Sequence, residues 1–151
     1  MKTEGANDVD FSRQLRLLVV DDVAVHRMLL VSGLGRINPF VKVEEAGSGN
    51  DAMDKLSGEK RYDAVVCDWL MRDGSGEDLL HWMRARPHFR RVPFIMISGK
   101  SSAQEIIEAF TRLGVDGYIV KPIMPKDVYQ KVVDAIDRMT GKIPDRSQGG
   151  V

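Results

Sequence analysis

VVCDWLMRDGSG, residues Val65–Gly76, is an apolar run that delivers one carboxylate, Asp68, and then turns polar and glycine-rich. Val65, Val66 and Cys67 suit a strand that is covered on both faces, the pattern of a parallel sheet interior. Asp68 at the end of such a strand has two readings. It caps the helix that follows, or it is the reactive carboxylate of the protein. The other strand ends decide between them.

Four more short apolar runs surround this one: RLLVV (Arg16–Val20), VKVEEA (Val41–Ala46), PFIMIS (Pro93–Ser98) and GYIVK (Gly117–Lys121). With DAVVCD (Asp63–Asp68) they make five expected strands, several of them apolar on both faces. Helical spacing lies between them. Ile106, Ala109, Phe110 and Leu113 recur at i, i+3, i+4 and i+7, and Val128, Val132, Ala135, Ile136 and Met139 form a longer stripe. Leu79, Leu80 and Met83 form a shorter one. Asn38-Pro39, Pro87 and Gly114 stand where helices should stop. Strand alternating with helix five times predicts an α/β fold, a doubly wound parallel sheet with its chemistry at the carboxyl ends of the strands.

The chain has 151 residues, 43% of them hydrophobic, which suits one domain with a real core. Its 22 basic and 22 acidic residues cancel, which argues against broad capture of nucleic acid or anionic membrane. The single cysteine, Cys67, excludes an internal disulfide and reads as a buried reduced thiol. No apolar stretch is long enough to span a bilayer, and the first residues do not resemble a secretory signal. A cytoplasmic location is therefore expected. Residues 1–13 and 141–151 lack periodicity and read as flexible extensions of a domain over 14–140.

The residues that end the runs are Asp21-Asp22, Asp68, Ser98 and Lys121. Singly, each is a cap or a solvated side chain. Together they place three carboxylates, a hydroxyl and an ammonium at one edge of the sheet, which capping alone does not explain. Three close carboxylates repel one another, and a hard divalent cation with oxygen ligands, Mg²⁺ or Mn²⁺, relieves this. One carboxylate can then attack a phosphoryl group. Lysine and serine suit the charge on the transferring oxygens.

LLVVDD, VVCDWLM…GSG, FIMISGK and GYIVKP, in that order and spacing, resemble the receiver domain of two-component response regulators. The likeness is greatest to stand-alone, chemotaxis-type members, and it runs from about Leu15 to Met139. It implies a flavodoxin-like (βα)5 fold with strand order 2-1-3-4-5. It also implies that Asp68 is the phosphoacceptor and that Asp22 binds Mg²⁺ directly while Asp21 acts through water. The backbone carbonyl of Leu70 would complete the metal ligands. Ser98 would be the hydroxyl that swings toward the phosphoryl group, Lys121 its cationic partner before a cis bond to Pro122, and Tyr118 the aromatic switch. Three departures stand out. Arg72 replaces the usual proline, Gly99 replaces a small residue that is often alanine, and SGKSSAQE is one residue longer than in the simplest members.

The implied function is a phosphorylation-activated switch, not an enzyme with a separate substrate. It would be charged by a histidine kinase or a histidine phosphotransfer protein, lose phosphate slowly beside apolar Leu70, and regulate a protein target through its fourth helix, fifth strand and fifth helix. A monomer or a weak phosphorylation-dependent dimer is expected, with no DNA or membrane partner, since no output module fits after the fifth helix. The alternative is a constitutive interaction module with vestigial phosphorylation, suggested by Arg72 and Gly99. His26 and Arg27 read as docking residues or as a solvated face. HWMRARPHFRR (His81–Arg91) reads mainly as a charged helix end.

Overall fold

A computed structural model describes residues 9–141. Five strands alternate with five helices: β1 (Arg16–Val20), α1 (Ala24–Ile37), β2 (Lys42–Ala46), α2 (Gly49–Leu56), β3 (Ala64–Asp68), α3 (Gly76–Arg84), β4 (Phe94–Ser98), α4 (Ala103–Glu108), β5 (Gly117–Val120) and α5 (Pro125–Met139). The sheet is wholly parallel, in the order β2-β1-β3-β4-β5. Both the fold class and the strand order agree with the sequence reading.

Strand periodicity explains the two-sided core. In β1, Leu18 and Val20 face one layer and Leu17 and Val19 the other. Alternate residues of β3 and β4 divide the same way: Val65, Cys67, Phe94 and Met96 on one face, Ala64, Val66, Ile95 and Ile97 on the other. Leu79, Leu80 and Met83 of α3 cover the first face. Leu30 and Leu34 of α1 and Val128 and Val132 of α5 cover the second. Burying the sheet on both sides is what makes the inner strands continuously apolar, while β2, at the edge, is only half-buried over most of its length.

Helix starts follow local capping chemistry. Ser75 accepts from the Asp78 amide while the Asp78 side chain returns to the Ser75 amide, and Ser102 and Glu105 repeat this box before α4. Pro125 opens α5. The expected stripe on the fourth helix is only partly realised. After Glu108 the chain makes a π turn, Ala109–Leu113, in which the Gly114 amide donates to the Ala109 carbonyl at 3.0 Å. The wider turn rotates the later side chains, so Ala109 and Leu113 are buried and Phe110 is exposed. Gly114 closes it at φ +80°, a left-handed conformation that glycine adopts without strain.

Residues 1–8 and 142–151, within the two expected flexible ends, lie outside the described residues. Residues 9–13 pack on the domain. Phe11 stacks on Tyr129 at 5.3 Å between ring centroids, Tyr129 donates to the Asp10 carbonyl, and Arg13 pairs with Asp137 at 3.0 Å. The fully buried Asn38 ties this segment to α1 and α5. Its Nδ2 donates to the Arg13 carbonyl (2.8 Å) and to the Tyr129 hydroxyl (3.1 Å), and its Oδ1 accepts from the Phe40 amide (2.9 Å). Asn38→Ala removes all three bonds and leaves the Arg13 carbonyl and the Phe40 amide without this partner, so a loss of about 1–3 kcal/mol is expected in urea unfolding.

Candidate functional site

After β1 the chain crosses to β2 on one side, then passes back to β3 on the other. The reversal opens a crevice between the carboxyl ends of β1 and β3, the place where doubly wound sheets bind ligands. Those ends carry Asp21-Asp22 and Asp68. Carboxylate oxygens of Asp21, Asp22 and Asp68 all lie within 4.8 Å of one another. An all-oxygen set this close fits a hard divalent cation such as Mg²⁺. Lys121, just past β5, places Nζ 3.0 Å from Asp68 Oδ1. Ser98 closes β4 and is buried, with its hydroxyl accepting the Lys100 amide at 3.0 Å. The Lys121-Pro122 bond is cis.

The electrostatics follow from burial. Asp68 is almost enclosed, and loss of solvent pushes its pKa up. The hydrogen bond and charge of Lys121 pull it down, and the Asp21 and Asp22 charges push it up again. The net direction is upward, so the folded chain holds this proton more tightly than the unfolded chain. Ionising Asp68 therefore opposes folding, and its contribution to stability falls as pH rises through its titration. Without added divalent cation, Asp68→Asn should raise the unfolding midpoint at neutral pH, and the gain over wild type should shrink as pH falls and Asp68 takes up its proton. A gain independent of pH, read from urea unfolding of both proteins, would contradict this. Asp22 moves the opposite way: the Arg72 amide, and after it the Arg72 side chain, hold its pKa below the usual carboxylate value.

The structure thus gathers Asp21, Asp22, Asp68 and Lys121, and sets Ser98 at the next strand end. Leu70 forms a single antiparallel bridge to Ser75, with its side chain exposed. Tyr118 of β5 is buried, its hydroxyl donating to the Lys100 carbonyl at 2.8 Å and its ring edge-on to Trp69 at 6.1 Å. Lys100 Nζ stands 4.1 Å over the Trp69 ring. Lys100 thus links Ser98, Tyr118 and Trp69 at one residue. Sequence reading passed over it because its backbone makes two of those contacts.

Several side chains take different parts from those expected. Arg27 is held inside the domain, by Glu45 at 3.0 Å and the Asp21 carbonyl at 2.6 Å, so it shapes the acid loop. His26 Nδ1 lies 3.5 Å from Asp21 Oδ2 and remains exposed. In the basic run, Arg84 binds Asp116 at 2.6 Å and the Phe89 and Val92 carbonyls, while Arg86 stacks over Trp82 at 4.1 Å. Much of that charge is structural. Arg72, where the resemblance implies proline, bonds Asp22 across the crevice, a contact the sequence reading did not anticipate. Cys67 is fully buried and its thiol pKa is raised well above normal by burial, as an inert core thiol requires.

Residues 17–133 match the family described as the response regulator receiver domain. The chain is 35% identical to the chemotaxis protein CheY1 of Helicobacter pylori over 118 residues, 78% of this chain and 94% of that one. It is 32% identical to the chemotaxis protein CheY of Pseudomonas aeruginosa over 127 residues, 84% of this chain and all of that one. A putative response regulator from Chloroflexus aurantiacus superposes with TM-score 0.69 at 27% identity, covering 83% of this chain and 100% of its own. A CheY-like receiver domain protein from Methanospirillum hungatei superposes with TM-score 0.71 at 24% identity, over 87% of this chain and 100% of its own. Motif order, sheet topology and the acid crevice agree with these likenesses, and the chain belongs to the response regulator receiver domain family of two-component signalling.

Proposed function

We propose that this receiver domain is a phosphorylation-activated switch whose phosphoacceptor is Asp68. The observation that supports this most is the contact of Lys121 Nζ with Asp68 Oδ1 at 3.0 Å, inside a crevice shared with Asp21 and Asp22. Lys121 occupies one carboxylate oxygen, which leaves the other as the nucleophile. The donor is a phosphohistidine on a histidine kinase or a histidine phosphotransfer protein. The Asp68 oxygen bonds to phosphorus as the phosphorus–nitrogen bond breaks, and imidazole leaves with the electron pair. Asp21, Asp22, Asp68 and the Leu70 carbonyl would hold Mg²⁺ or Mn²⁺, which supplies charge neutralisation at the phosphoryl oxygens.

Lys121 pairs with the new phosphoryl charge, and the Ser98 hydroxyl turns to donate to it. The strand ends carrying both are joined by the Lys121 amide, which donates to the Ser98 carbonyl at 2.9 Å. Lys100 and Tyr118 pass this change to α4, β5 and α5, the surface that meets a protein target. The apolar Leu70 side chain gives an attacking water no hydrogen bond, so hydrolysis is slow. The domain acts as a monomer or a weak phosphorylation-dependent dimer, without DNA. Incubation with acetyl phosphate and Mg²⁺ should add one phosphoryl group, and EDTA should prevent it. No mass gain in the wild type would overturn the reading.

A second reading is a constitutive interaction module. The buried Tyr118, already bonded to the Lys100 carbonyl, favours it, because an aromatic switch set inward leaves phosphate less to change. The phosphorylated and unphosphorylated proteins would then present the same α4–β5–α5 surface, and amide chemical shifts there would not move on phosphorylation.

A further inference from the structure

Arg72 makes three bonds, and all go to Asp22. Its amide donates to Asp22 Oδ2 at 2.8 Å, its Nε to the same oxygen at 3.2 Å, and its Nη2 to the Asp22 carbonyl at 3.3 Å. The two side chains differ sharply in exposure, 82% for Arg72 and 13% for Asp22. An otherwise solvated guanidinium is therefore laid across the mouth of the acid crevice. Among the described residues it has no other hydrogen-bond partner. Arg72 lies in the connection between β3 and α3, in the turn that the Leu70–Ser75 bridge closes and in which Gly74 stands at φ +91°, so its backbone is placed while its side chain reaches Asp22 from solvent.

We propose that Arg72 is a tethered counter-ion that competes with a divalent cation for Asp22, so that cation binding requires the guanidinium to let go. The inference rests on the reading that Asp21, Asp22 and Asp68 hold such a cation. Three carboxylates that are poorly solvated repel one another, and each opposite charge relieves part of that repulsion. Lys121 relieves it at Asp68, with Nζ 3.0 Å from Oδ1. Arg72 relieves it at Asp22, from solvent. A cation arriving at the cluster supplies the same relief with two charges, and so finds Asp22 already partly neutralised. An exposed ion pair is weak enough for a divalent cation to break. It is strong enough to lower cation affinity by about three- to fivefold. An arginine that merely oriented Asp22 as a ligand would do the reverse and raise affinity.

The two roles separate in a Mg²⁺ titration of the full chain. The Trp82→Phe background leaves Trp69, the neighbour of Asp68, as the one tryptophan. Arg72→Ala in that background keeps the amide bond to Asp22 and removes only the guanidinium. It should bind Mg²⁺ about three- to fivefold more tightly than its parent. The Nε–H resonance of Arg72, assigned by its loss in Arg72→Ala, should be protected from exchange without Mg²⁺ and lose that protection at saturation. A charge acting only at a distance would leave this resonance unmoved. Equal or weaker binding in Arg72→Ala, or unchanged protection at saturation, overturns the role of Arg72 and leaves the cation site standing. Titrations flat in both proteins, with both folded by circular dichroism, overturn the cation site and this inference with it.

Discussion

Asp68→Asn is expected to abolish phosphoryl uptake, a loss on the order of 10³-fold or more in rate. The substitution keeps the shape of the side chain and one carbonyl oxygen for Lys121. It removes the anionic oxygen that attacks phosphorus, and an amide is a poor nucleophile. Asp21 and Asp22 do not replace it. The Asp22 Oδ2 is taken up by Arg72, and Asp21 Oδ1 accepts the Val23 amide at 2.8 Å at the start of α1. Neither has a lysine ammonium within ion-pair distance, among the described residues, to bind a transferred group. Intact-mass measurement after incubation with acetyl phosphate and Mg²⁺ decides the matter. One phosphoryl group on the wild type and none on the variant is the expected result. Uptake by the variant at the parent rate would move the nucleophile to another residue.

Gly76→Val should be the most damaging substitution near the site. A Cβ at Gly76 would stand 2.6 Å from the Asp68 carbonyl oxygen and 3.2 Å from both the Trp69 Cα and the Met96 sulfur. Two of these are backbone atoms of the segment that positions Asp68, and the Gly76 amide itself donates to the Trp69 carbonyl at 2.7 Å. The first turn of α3 is thus pressed onto the end of β3, and valine must force them apart. A cost of about 3 kcal/mol is expected, together with slower phosphoryl uptake, because the carboxylate moves with its backbone. Gly35→Ala is the control: nothing lies within 4 Å of a Cβ there, and alanine favours the helix. Urea unfolding should show a large loss for the first and none for the second. A wild-type midpoint for Gly76→Val would mean that α3 and β3 are not in this contact.

The aromatic and basic residues were the hardest to place from sequence. The resemblance singled out Tyr118, but nothing in its spacing showed that it is buried with its hydroxyl on the Lys100 carbonyl, which belongs to a different strand end. Arg27 and Arg84 carry the same charge as solvated arginines. Only their distances to Glu45 and Asp116 mark them as internal ties. Phe110 fell on the expected buried stripe and is exposed because one extra residue enters the turn, a change of winding that apolar spacing does not encode.

The amino-acid order alone determined that five buried strands would alternate with helices. It also determined that Asp21, Asp22, Asp68, Ser98 and Lys121 would stand where strands end. Both follow from local periodicity: a residue's place along a strand sets its end and its face. Tertiary structure decided what those ends touch. The reversal between β2 and β3 brings carboxylates 46 residues or more apart, Asp22 and Asp68, within 4.8 Å. Burial then raises the pKa of Asp68, the Arg72 amide and guanidinium hold that of Asp22 down, and a loop arginine lies across the crevice. Those effects depend on separation and solvent exposure in three dimensions, which spacing along the chain does not contain.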